Sequence, residues 1–462
     1  MKSFLKGFFG VVAAGIIAAA LLTFISRGSE KPTGVKRMMG ALLQAGDSLR
    51  SEAQEKSPEE LREEALKRSS EIKGLYMTAD VANDQGAGAV RLRNHIIGLA
   101  KTTEINGIVI DVKEVCGPDY NLKHLKKLLD ELHRNDIWAI ARIVVFKDAS
   151  EIHAHPEWYL KRASPKKVFD QCANKKHLRS PASSIRHPAS ILWQDNKGGY
   201  WLDPASQGAR DYIVSFSKQM IDLGFDELQF DYIRFPSDGD VAAAIYPTWD
   251  RKVQKYEVMK SFFSFLGGEL RAYKPDIIIS ADLFGYATLL TGDVGIGQRL
   301  QDIGESFDYI SFMVYPSHYY SGLYLPADAS RKLSPVALDA QGVRAHPDIT
   351  VGRSLRQARD FLDGVGTSTV AIGSTQRHGY GAGSTTASTT VNNAVAMTEA
   401  RSRVRLRPWL EDFFHEQDRL AHRPYGVEKV RLQIDAAERV ERHGWLLWNA
   451  SNVYTDGALK KE

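Results

Sequence analysis

From Lys73 onward, segments typical of β-strands alternate with segments typical of helices, and this alternation restricts the fold more than any other feature of the chain. Strands that alternate with helices form parallel sheets, because each helix returns the chain to the same end of the sheet. Eight segments have strand character, namely 74–79, 107–113, 137–146, 227–235, 277–284, 309–315, 404–410 and 444–449. This pattern predicts an α/β fold, a (β/α)8 barrel of the TIM type. An open doubly wound sheet is the alternative, but no glycine-rich phosphate loop follows any of these strands.

Helices are predicted between most of the strands, among them 122–133, 209–223, 249–273 and 353–362. Two stretches interrupt the pattern and are interpreted as insertions. Residues 148–202 are a long polar excursion after the third strand, and residues 364–402 precede the seventh. The second contains a run of Gly, Ala, Ser and Thr over 381–390, which predicts a mobile surface loop.

The first functional candidate is Asp231, near the end of the fourth strand. Alternation places Glu227, Gln229 and Asp231 on one face, with apolar and aromatic side chains on the other. Such a strand suits a barrel wall covered by helices, and α/β barrels carry their chemistry at the carboxyl ends of the strands. Arg234 could keep Asp231 ionised. A structural ion pair between Asp231 and Arg234 is the alternative.

A second acid, Asp282, lies near the end of the fifth strand, where Ser280 shares its face. Neighbouring strands of a barrel would bring Asp231 and Asp282 together, at roughly the separation that paired-carboxylate hydrolysis requires. The alternative for Asp282 is a helix cap or a loop contact.

Further polar and aromatic residues at strand ends are candidates for substrate binding. They are Asp111, Lys113, Arg234, Tyr315, His318, Trp409, Asp412, Trp448 and Asn449. Each has a structural alternative. Asp111 and Lys113 can form an ion pair with each other, His318 can be structural, and the tryptophans can belong to the core.

The first residues predict a membrane anchor over 1–26. Lys2 and Lys6 precede an uncharged run over 8–25, which lies at the short edge of a spanning helix and is long for a signal-peptide core. A cleaved signal and a buried core helix are the alternatives. Residues 27–71 are predicted to form a stalk that lifts the barrel, residues 72–456, off the membrane. A body of this kind is expected to face the periplasm or the cell exterior.

Composition excludes several other classes of protein. The formal net charge of +4, from 60 basic and 56 acidic residues, gives no reason to expect a nucleic-acid partner. No cluster of residues has convincing metal-ligand spacing, and no cofactor is expected. A serine hydrolase is disfavoured because the chain has no Gly-x-Ser-x-Gly elbow. Cys116 and Cys172 either form a disulfide in an oxidising compartment or are two unrelated thiols.

Several motifs together resemble a bacterial family of glycosyl-hydrolase-like domains that is related to the α-glycosidase-like barrels. The motifs lie at 107–113, 200–204, 224–236, 280–285, 295–298, 313–319, 407–410 and 444–454. The resemblance covers about residues 72–456 and implies a TIM barrel. In the wider group a nucleophilic acid ends the fourth strand, another acid ends the fifth and a further one often ends the seventh. Asp231 and Asp282 match the first two positions, and Asp412 is the nearest match to the third.

These observations lead to the expectation of a glycoside hydrolase that acts on an extracytoplasmic polysaccharide or oligosaccharide through Asp231 and Asp282. A catalytically silent barrel that binds glycans of the cell envelope is the rival interpretation. Geometry separates the two. Carboxyl groups within about 5–10 Å of each other across an open cleft favour hydrolysis. Carboxyl groups that point apart, or that are both tied in ion pairs, count against it.

Overall fold

A computed structural model describes residues 56–165, 171–172, 191–290, 292–364, 404–413, 415 and 425–461. One compact unit extends from Pro58 to Glu462. The predicted anchor over 1–26 and most of the predicted stalk and of the 364–402 insertion lie outside the described residues. Within the described residues, no helix is long and apolar enough to cross a membrane.

Eight parallel strands form a closed barrel, as the alternation predicted. They are β1 (Ile72–Met77), β2 (Gly107–Glu114), β3 (Trp138–Val144), β4 (Glu227–Asp231), β5 (Ile278–Phe284), β6 (Tyr309–Met313), β7 (Arg405–Leu406 and Trp409–Glu411) and β8 (Gly444–Trp448). Each strand pairs with the next, and β8 pairs with β1 to close the barrel. Closure is tight at Gly444, which has φ 84°. A Cβ atom there would lie 1.9 Å from the carbonyl oxygen of Ile72, so only glycine fits.

Helices surround the barrel and cover its outer face. They are α1 (Pro58–Arg68), α2 (Ala79–Asn83), α3 (Ala87–Thr102), α4 (Leu122–Arg134), α5 (Gln207–Leu223), α6 (Lys255–Tyr273), α7 (Leu300–Ser306), α8 (Ala340–Ala345), α9 (Pro347–Leu362) and α10 (Val427–Val440). The outward residues Leu228 and Phe230 of β4 are fully buried in this layer, whereas Glu227, Gln229 and Asp231 face the interior. The alternation read from the sequence is therefore confirmed.

Helix α1 was assigned to the stalk, but it is part of the base of the barrel. Arg62 donates to the buried carboxylate of Asp308 at 2.6 Å. Ser69, just after the helix, hydrogen-bonds to the hydroxyl of Tyr309 at 2.9 Å and accepts from Arg407 at its carbonyl oxygen. The compact body therefore begins at Pro58 rather than at residue 72, because the stretch after Pro58 supplies partners that the buried polar groups of the base require.

The interior of the barrel is polar at the base. Glu227 and Arg407 form an ion pair of 2.7 Å, and both side chains are fully buried. The carboxylate also accepts from the hydroxyl of Ser280 at 2.7 Å and from the indole N–H of Trp138 at 3.2 Å. Glu227 therefore serves the architecture at the base, whereas Asp231, on the same face of β4, lies at the other end of the strand.

The excursion after β3 is tied to the loop after β2 by a disulfide between Cys116 and Cys172. Pairing was one of the two alternatives for these cysteines, and the structure confirms it. The bond joins residues separated by 56 positions in the sequence, so it fixes part of the 148–202 insertion beside the mouth of the barrel.

Candidate active site

The carboxyl ends of the strands converge on the guanidinium group of Arg142, which β3 places inside the barrel mouth. Its Nη1 donates to Oδ1 of Asp111 at 2.6 Å, and its Nη2 donates to Oδ2 of Asp231. Its Nε lies 3.7 Å from Oδ2 of Asp282. One cation therefore contacts carboxyl groups from β2, β4 and β5. These four side chains are called the Arg142 cluster below.

Asp231 is fixed by a change of backbone direction at the end of β4. The strand was predicted to continue to residue 235, but it stops at Asp231 because Tyr232 has a left-handed conformation, with φ 50°. This turn aims the backbone N–H of Tyr232 at Oδ1 of Asp231, at 2.6 Å. A guanidinium group and a backbone N–H are donors that favour a carboxylate.

Asp282 has a different environment from Asp231. Its side chain is 1% exposed, and its Oδ1 accepts the indole N–H of Trp409 at 2.8 Å. Burial raises the pKa of Asp282 well above its usual range, and the nearby charge of Asp231 raises it further. Two neighbouring carboxyl groups in unequal environments are the arrangement from which a general acid and an ionised partner arise.

The geometry of the two acids meets the test for hydrolysis only in part. Since one guanidinium group contacts both, their carboxyl groups lie within the upper limit of about 9.5 Å for paired-carboxylate hydrolysis. Asp231 is tied in an ion pair, which counts toward the rival interpretation. Asp282 is not held in the same way, because its contact of 3.7 Å with Arg142 is too long for a hydrogen bond. Its Oδ2 accepts no hydrogen bond from the described residues.

Asp111 is the third acid of the cluster and is fully buried. It accepts hydrogen bonds from Arg142 and from the hydroxyl of Tyr76, which reaches across from β1. Burial raises the pKa of Asp111, although the charge of Arg142 opposes this effect. The predicted pairing of Asp111 with Lys113 is wrong, since Arg142 takes that place.

Lys113 does not join the Arg142 cluster. A register shift between Asp111 and Lys113 interrupts the pairing of β2 with β3. Lys113 instead forms a fully buried ion pair of 2.7 Å with Asp148, and its ammonium lies 5.5 Å from the ring centre of Tyr212 on α5. These contacts place its charge in the layer between the barrel and α5, so substrate contact through Lys113 is not supported.

Arg234 also differs from the expectation. Its guanidinium lies over the rings of Tyr232, Trp201 and Phe284, at 5.0, 5.0 and 4.6 Å from their centres. The ion pair with Asp231 that was considered for Arg234 is made by Arg142 instead. Arg234 therefore packs among the aromatic rings beside the mouth.

One side of the mouth is lined by aromatic rings, here called the aromatic wall. It consists of Tyr315, His318, Tyr320, Phe413 and Trp448. Tyr315 stacks on Trp448 with ring centres 5.8 Å apart, and Phe413 meets Trp448 edge-on at 5.0 Å. His318 stacks on Tyr320 at 5.9 Å, and Tyr320 is 65% exposed. Tyr315 is only 4% exposed, so it supports the ring of Trp448 and offers little surface of its own. Exposed ring faces suit the apolar faces of sugars. The predicted binding roles of Tyr315, His318 and Trp448 stay predictions.

Asp412 and Asn449 bind the segment after β8. Asp412 accepts from the backbone N–H and the hydroxyl of Thr455, at 2.8 and 2.6 Å. The amide of Asn449 donates to the carbonyl oxygens of Asp412 and Val453. These contacts give both residues a structural role, and they do not bring either side chain to Arg142.

The acid that ends β7 is Glu411. It is fully buried and accepts from the backbone N–H and hydroxyl of Ser317, at 3.0 and 2.6 Å. His415 contacts its other oxygen at 2.7 Å. Glu411 thereby anchors the loop that carries His318.

Arg142 and Tyr76 are the members of the site that sequence reasoning missed. A signal for Arg142 was present, because it is the one charged residue in the strand Trp138–Val144 and shares its face with Trp138 and Ile140. A buried charge in an apolar strand requires an acidic partner. Tyr76 gave no such signal, since a tyrosine in a strand is ordinary.

Fold and site together define a (β/α)8 barrel with acids and aromatic rings at the carboxyl ends of its strands. The chain belongs to the DUF4015 family, described as "Putative glycosyl hydrolase domain", whose model matches residues 74–454. This confirms the family that the sequence motifs indicated. No curated protein matches the chain.

Solved structures similar to this chain include three bacterial proteins. A hypothetical protein from Ruminiclostridium thermocellum is 26% identical, with 45% of this chain and 96% of that one covered and a TM-score of 0.33. An α-amylase from Geobacillus thermoleovorans, complexed with acarbose, is 11% identical, with 84% and 72% covered and a TM-score of 0.42. Trehalose-6-phosphate hydrolase from Bacillus licheniformis is 11% identical, with 82% and 64% covered and a TM-score of 0.42.

Proposed function

We propose that this protein is a glycoside hydrolase that cleaves an extracytoplasmic polysaccharide or oligosaccharide with Asp231 and Asp282. The observation that carries the proposal is the unequal pair of acids, one bonded to a guanidinium group and the other buried with a raised pKa. Membership of a family described as a glycosyl hydrolase domain supports the same reaction class.

Asp282 is assigned the role of general acid. In its protonated form it transfers a proton to the glycosidic oxygen as the bond to the anomeric carbon breaks, and the leaving sugar departs as an alcohol. Asp231 either attacks the anomeric carbon directly or removes a proton from the attacking water. In the first case water later hydrolyses the glycosyl-enzyme ester, with Asp282 acting as base.

Arg142 and the aromatic wall have supporting roles in this proposal. The guanidinium group orients the carboxylate of Asp231 and stabilises its charge, and Asp111 holds the guanidinium from the other side. Trp448 and Tyr315 border this cluster through Tyr76, whose ring centre lies 6.0 Å from that of Trp448. A sugar ring stacked on the wall would therefore lie beside the two acids.

The location outside the cytoplasm, with an N-terminal membrane anchor, is part of the same proposal. The uncharged run over 8–25 supports an anchor, and the disulfide between Cys116 and Cys172 supports an oxidising compartment. A protease-accessibility assay on intact spheroplasts that express the full chain tests this. Digestion of the barrel without lysis is expected, and protection until lysis would contradict it.

Hydrolysis is tested with a panel of polysaccharides and oligosaccharides, on which the wild type is compared with Asp231→Asn. The wild type should release reducing ends from at least one glycan. The rate of the variant on that glycan should be at least about a thousandfold lower. Asp226→Asn is the matched control, because it changes an aspartate just before the base end of the same strand. Equal activity in wild type and Asp231→Asn would contradict the proposal.

The ion pair between Arg142 and Asp231 is the observation that favours the rival, a silent barrel that binds glycans. The same panel separates the two functions. Glycan binding without release of reducing ends, unchanged in Asp231→Asn, is the result expected of the rival.

A further inference from the structure

A tight turn over residues 195–199 is built around the buried carboxylate of Asp195. Its Oδ1 accepts the backbone N–H groups of Lys197 at 3.0 Å and Gly199 at 2.9 Å. Its Oδ2 accepts the indole N–H of Trp201 at 3.0 Å and forms an ion pair of 2.8 Å with Lys147. Four donors on one carboxylate make this turn a rigid support.

The turn lies at the mouth of the barrel, on the side of β3 and β4. Lys147 follows shortly after β3, and its ammonium lies 5.4 Å from the ring centre of Tyr232, the residue directly after Asp231. The backbone N–H of Asn196 donates to Asp238, in the loop after β4, at 3.0 Å. These contacts hold the turn beside the loop that follows Asp231.

The side chain that the turn presents is Lys197. It is exposed, and within the described part of the chain no carboxylate lies within 4.0 Å of its ammonium. Burial dominates the pKa of Tyr232 and that of His318, raising the first and lowering the second. The charge of Lys197 acts on both in the lowering direction. The turn that carries Lys197 is fixed beside the loop after β4, so its charge is held at the mouth, where it acts on Tyr232 and on His318 of the aromatic wall.

Among the described residues, two other cations at the mouth have carboxylate partners, and Arg234 lies over aromatic rings. Arg142 is bonded to Asp111 and Asp231, and Lys147 to Asp195. An exposed ammonium on a rigid turn at the mouth, with no carboxylate partner among the described residues, is a complement for a negatively charged sugar. A neutral sugar has no charge with which this ammonium can pair, whereas an anionic substituent forms a charge-assisted hydrogen bond with it.

We propose that Lys197 is a specificity-determining residue that selects acidic glycans, in which a sugar bound beside the cleaved bond carries a carboxylate, sulfate or phosphate. This inference rests on the proposed function for the cleavage, although recognition of the acidic group can be measured without it. The contact is a charge-assisted hydrogen bond from the ammonium to the anionic group.

The test measures binding by the wild type and by Lys197→Met on an array that carries neutral glycans and glycans bearing uronate, sulfate or phosphate groups. The wild type should bind an acidic glycan in preference to its neutral counterpart. Lys197→Met should lose about tenfold in affinity for that glycan, the order expected when one charge-assisted hydrogen bond is removed. Lys126→Met, an exposed lysine on α4, is the matched control and should bind as the wild type does.

Salt and hydrolysis complete the experiment. Raising the salt concentration should weaken acidic-glycan binding by the wild type more than by Lys197→Met. The inference is overturned if Lys197→Met binds acidic glycans as tightly as the wild type, if it loses neutral glycans equally, or if the wild type binds no acidic glycan. Lys197-dependent binding without cleavage would uphold recognition and contradict hydrolysis. Cleavage of neutral glycans at the same rate by the wild type and Lys197→Met would uphold hydrolysis and contradict recognition by Lys197.

Discussion

The hydrogen bond from Trp409 lowers the pKa of Asp282, the proposed general acid, against the larger effect of burial, and Trp409→Phe removes it. The indole N–H reaches Oδ1 of Asp282 at 2.8 Å, inside the buried interior of the barrel. Phenylalanine keeps an aromatic ring at this position but has no donor. An N–H donor stabilises the ionised form of a carboxyl group, so its loss raises the pKa of Asp282 further above the usual range.

The magnitude follows from the strength of the bond. A hydrogen bond to a charged group contributes about 1.5–3 kcal/mol. Since each pKa unit corresponds to about 1.4 kcal/mol, the pKa of Asp282 should rise by about one to two units. A general acid works only while it is protonated. The alkaline limb of the profile of kcat/KM against pH should therefore move to higher pH by the same amount.

Two assays check this prediction. The first is the pH profile of kcat/KM on a cleaved glycan. The second needs no substrate, and follows the infrared carbonyl band of protonated Asp282, identified by its absence in Asp282→Asn. Trp448→Phe is the matched control, because Trp448 stacks on Tyr315 and makes no hydrogen bond to Asp282. An alkaline limb that stays in place in Trp409→Phe, or moves to lower pH, would refute the reasoning.

Three further predictions concern stability. Replacing Cys116 and Cys172 by serine removes a bond between residues separated by 56 positions. In the loop-closure model this should lower the free energy of unfolding by about 4 kcal/mol. A denaturant midpoint equal to that of the oxidised wild type would contradict this. Glu227→Gln leaves Arg407 buried without its charge partner and should cost about 3–5 kcal/mol. The double variant Glu227→Gln with Arg407→Met should lose less of the free energy of unfolding than the two single variants lose together. A loss equal to the sum of the single losses would contradict the ion pair. Because the pKa of Asp282 is raised on folding, the wild type should lose stability as pH rises from the unfolded value toward the folded one. Asp282→Asn should lack that loss, and parallel stability curves from pH 4 to pH 9 would contradict it.

The barrel could be predicted from the sequence because its determinants are local. Alternation within each strand fixes which face is inside, and helical segments between strands fix the parallel order. Asp231 and Asp282 were placed correctly for the same reason. Each lies on the inward face of its strand, near the carboxyl end, and β4 and β5 are neighbours.

The partners of these acids depend on contacts that the sequence does not display. Strand alternation places Lys113 on the same face as Asp111, two positions earlier. A register shift between the two residues instead turns Lys113 outward to Asp148. Asp412 and Asn449 directly follow β7 and β8, yet they bind a segment around Thr455 that only the folded chain brings near. These long-range contacts depend on the conformations of the loops, which the periodicity of the strands does not specify.

Arg142 was predictable in principle. A single charge on the inward face of β3 cannot remain unpaired, and every candidate acid at the barrel mouth was already known from the sequence. The expectation that Arg234, a near neighbour in sequence, would be the ion-pair partner of Asp231 was wrong. The positive φ of Tyr232 redirects the chain after Asp231, and Arg234 then lies over the ring of Phe284.

The central claim is that Asp231 and Asp282 perform different steps of one hydrolysis, and leaving-group dependence tests it most directly. The comparison uses the cleaved glycan and an aryl glycoside of the same sugar, whose phenolate leaves without protonation. Asp282→Asn should lose most activity on the glycan but retain much of it on the aryl glycoside, because only the first requires a general acid. Asp231→Asn should lose both. Equal losses of Asp282→Asn on the two substrates, or an active Asp231→Asn, would contradict the assignment.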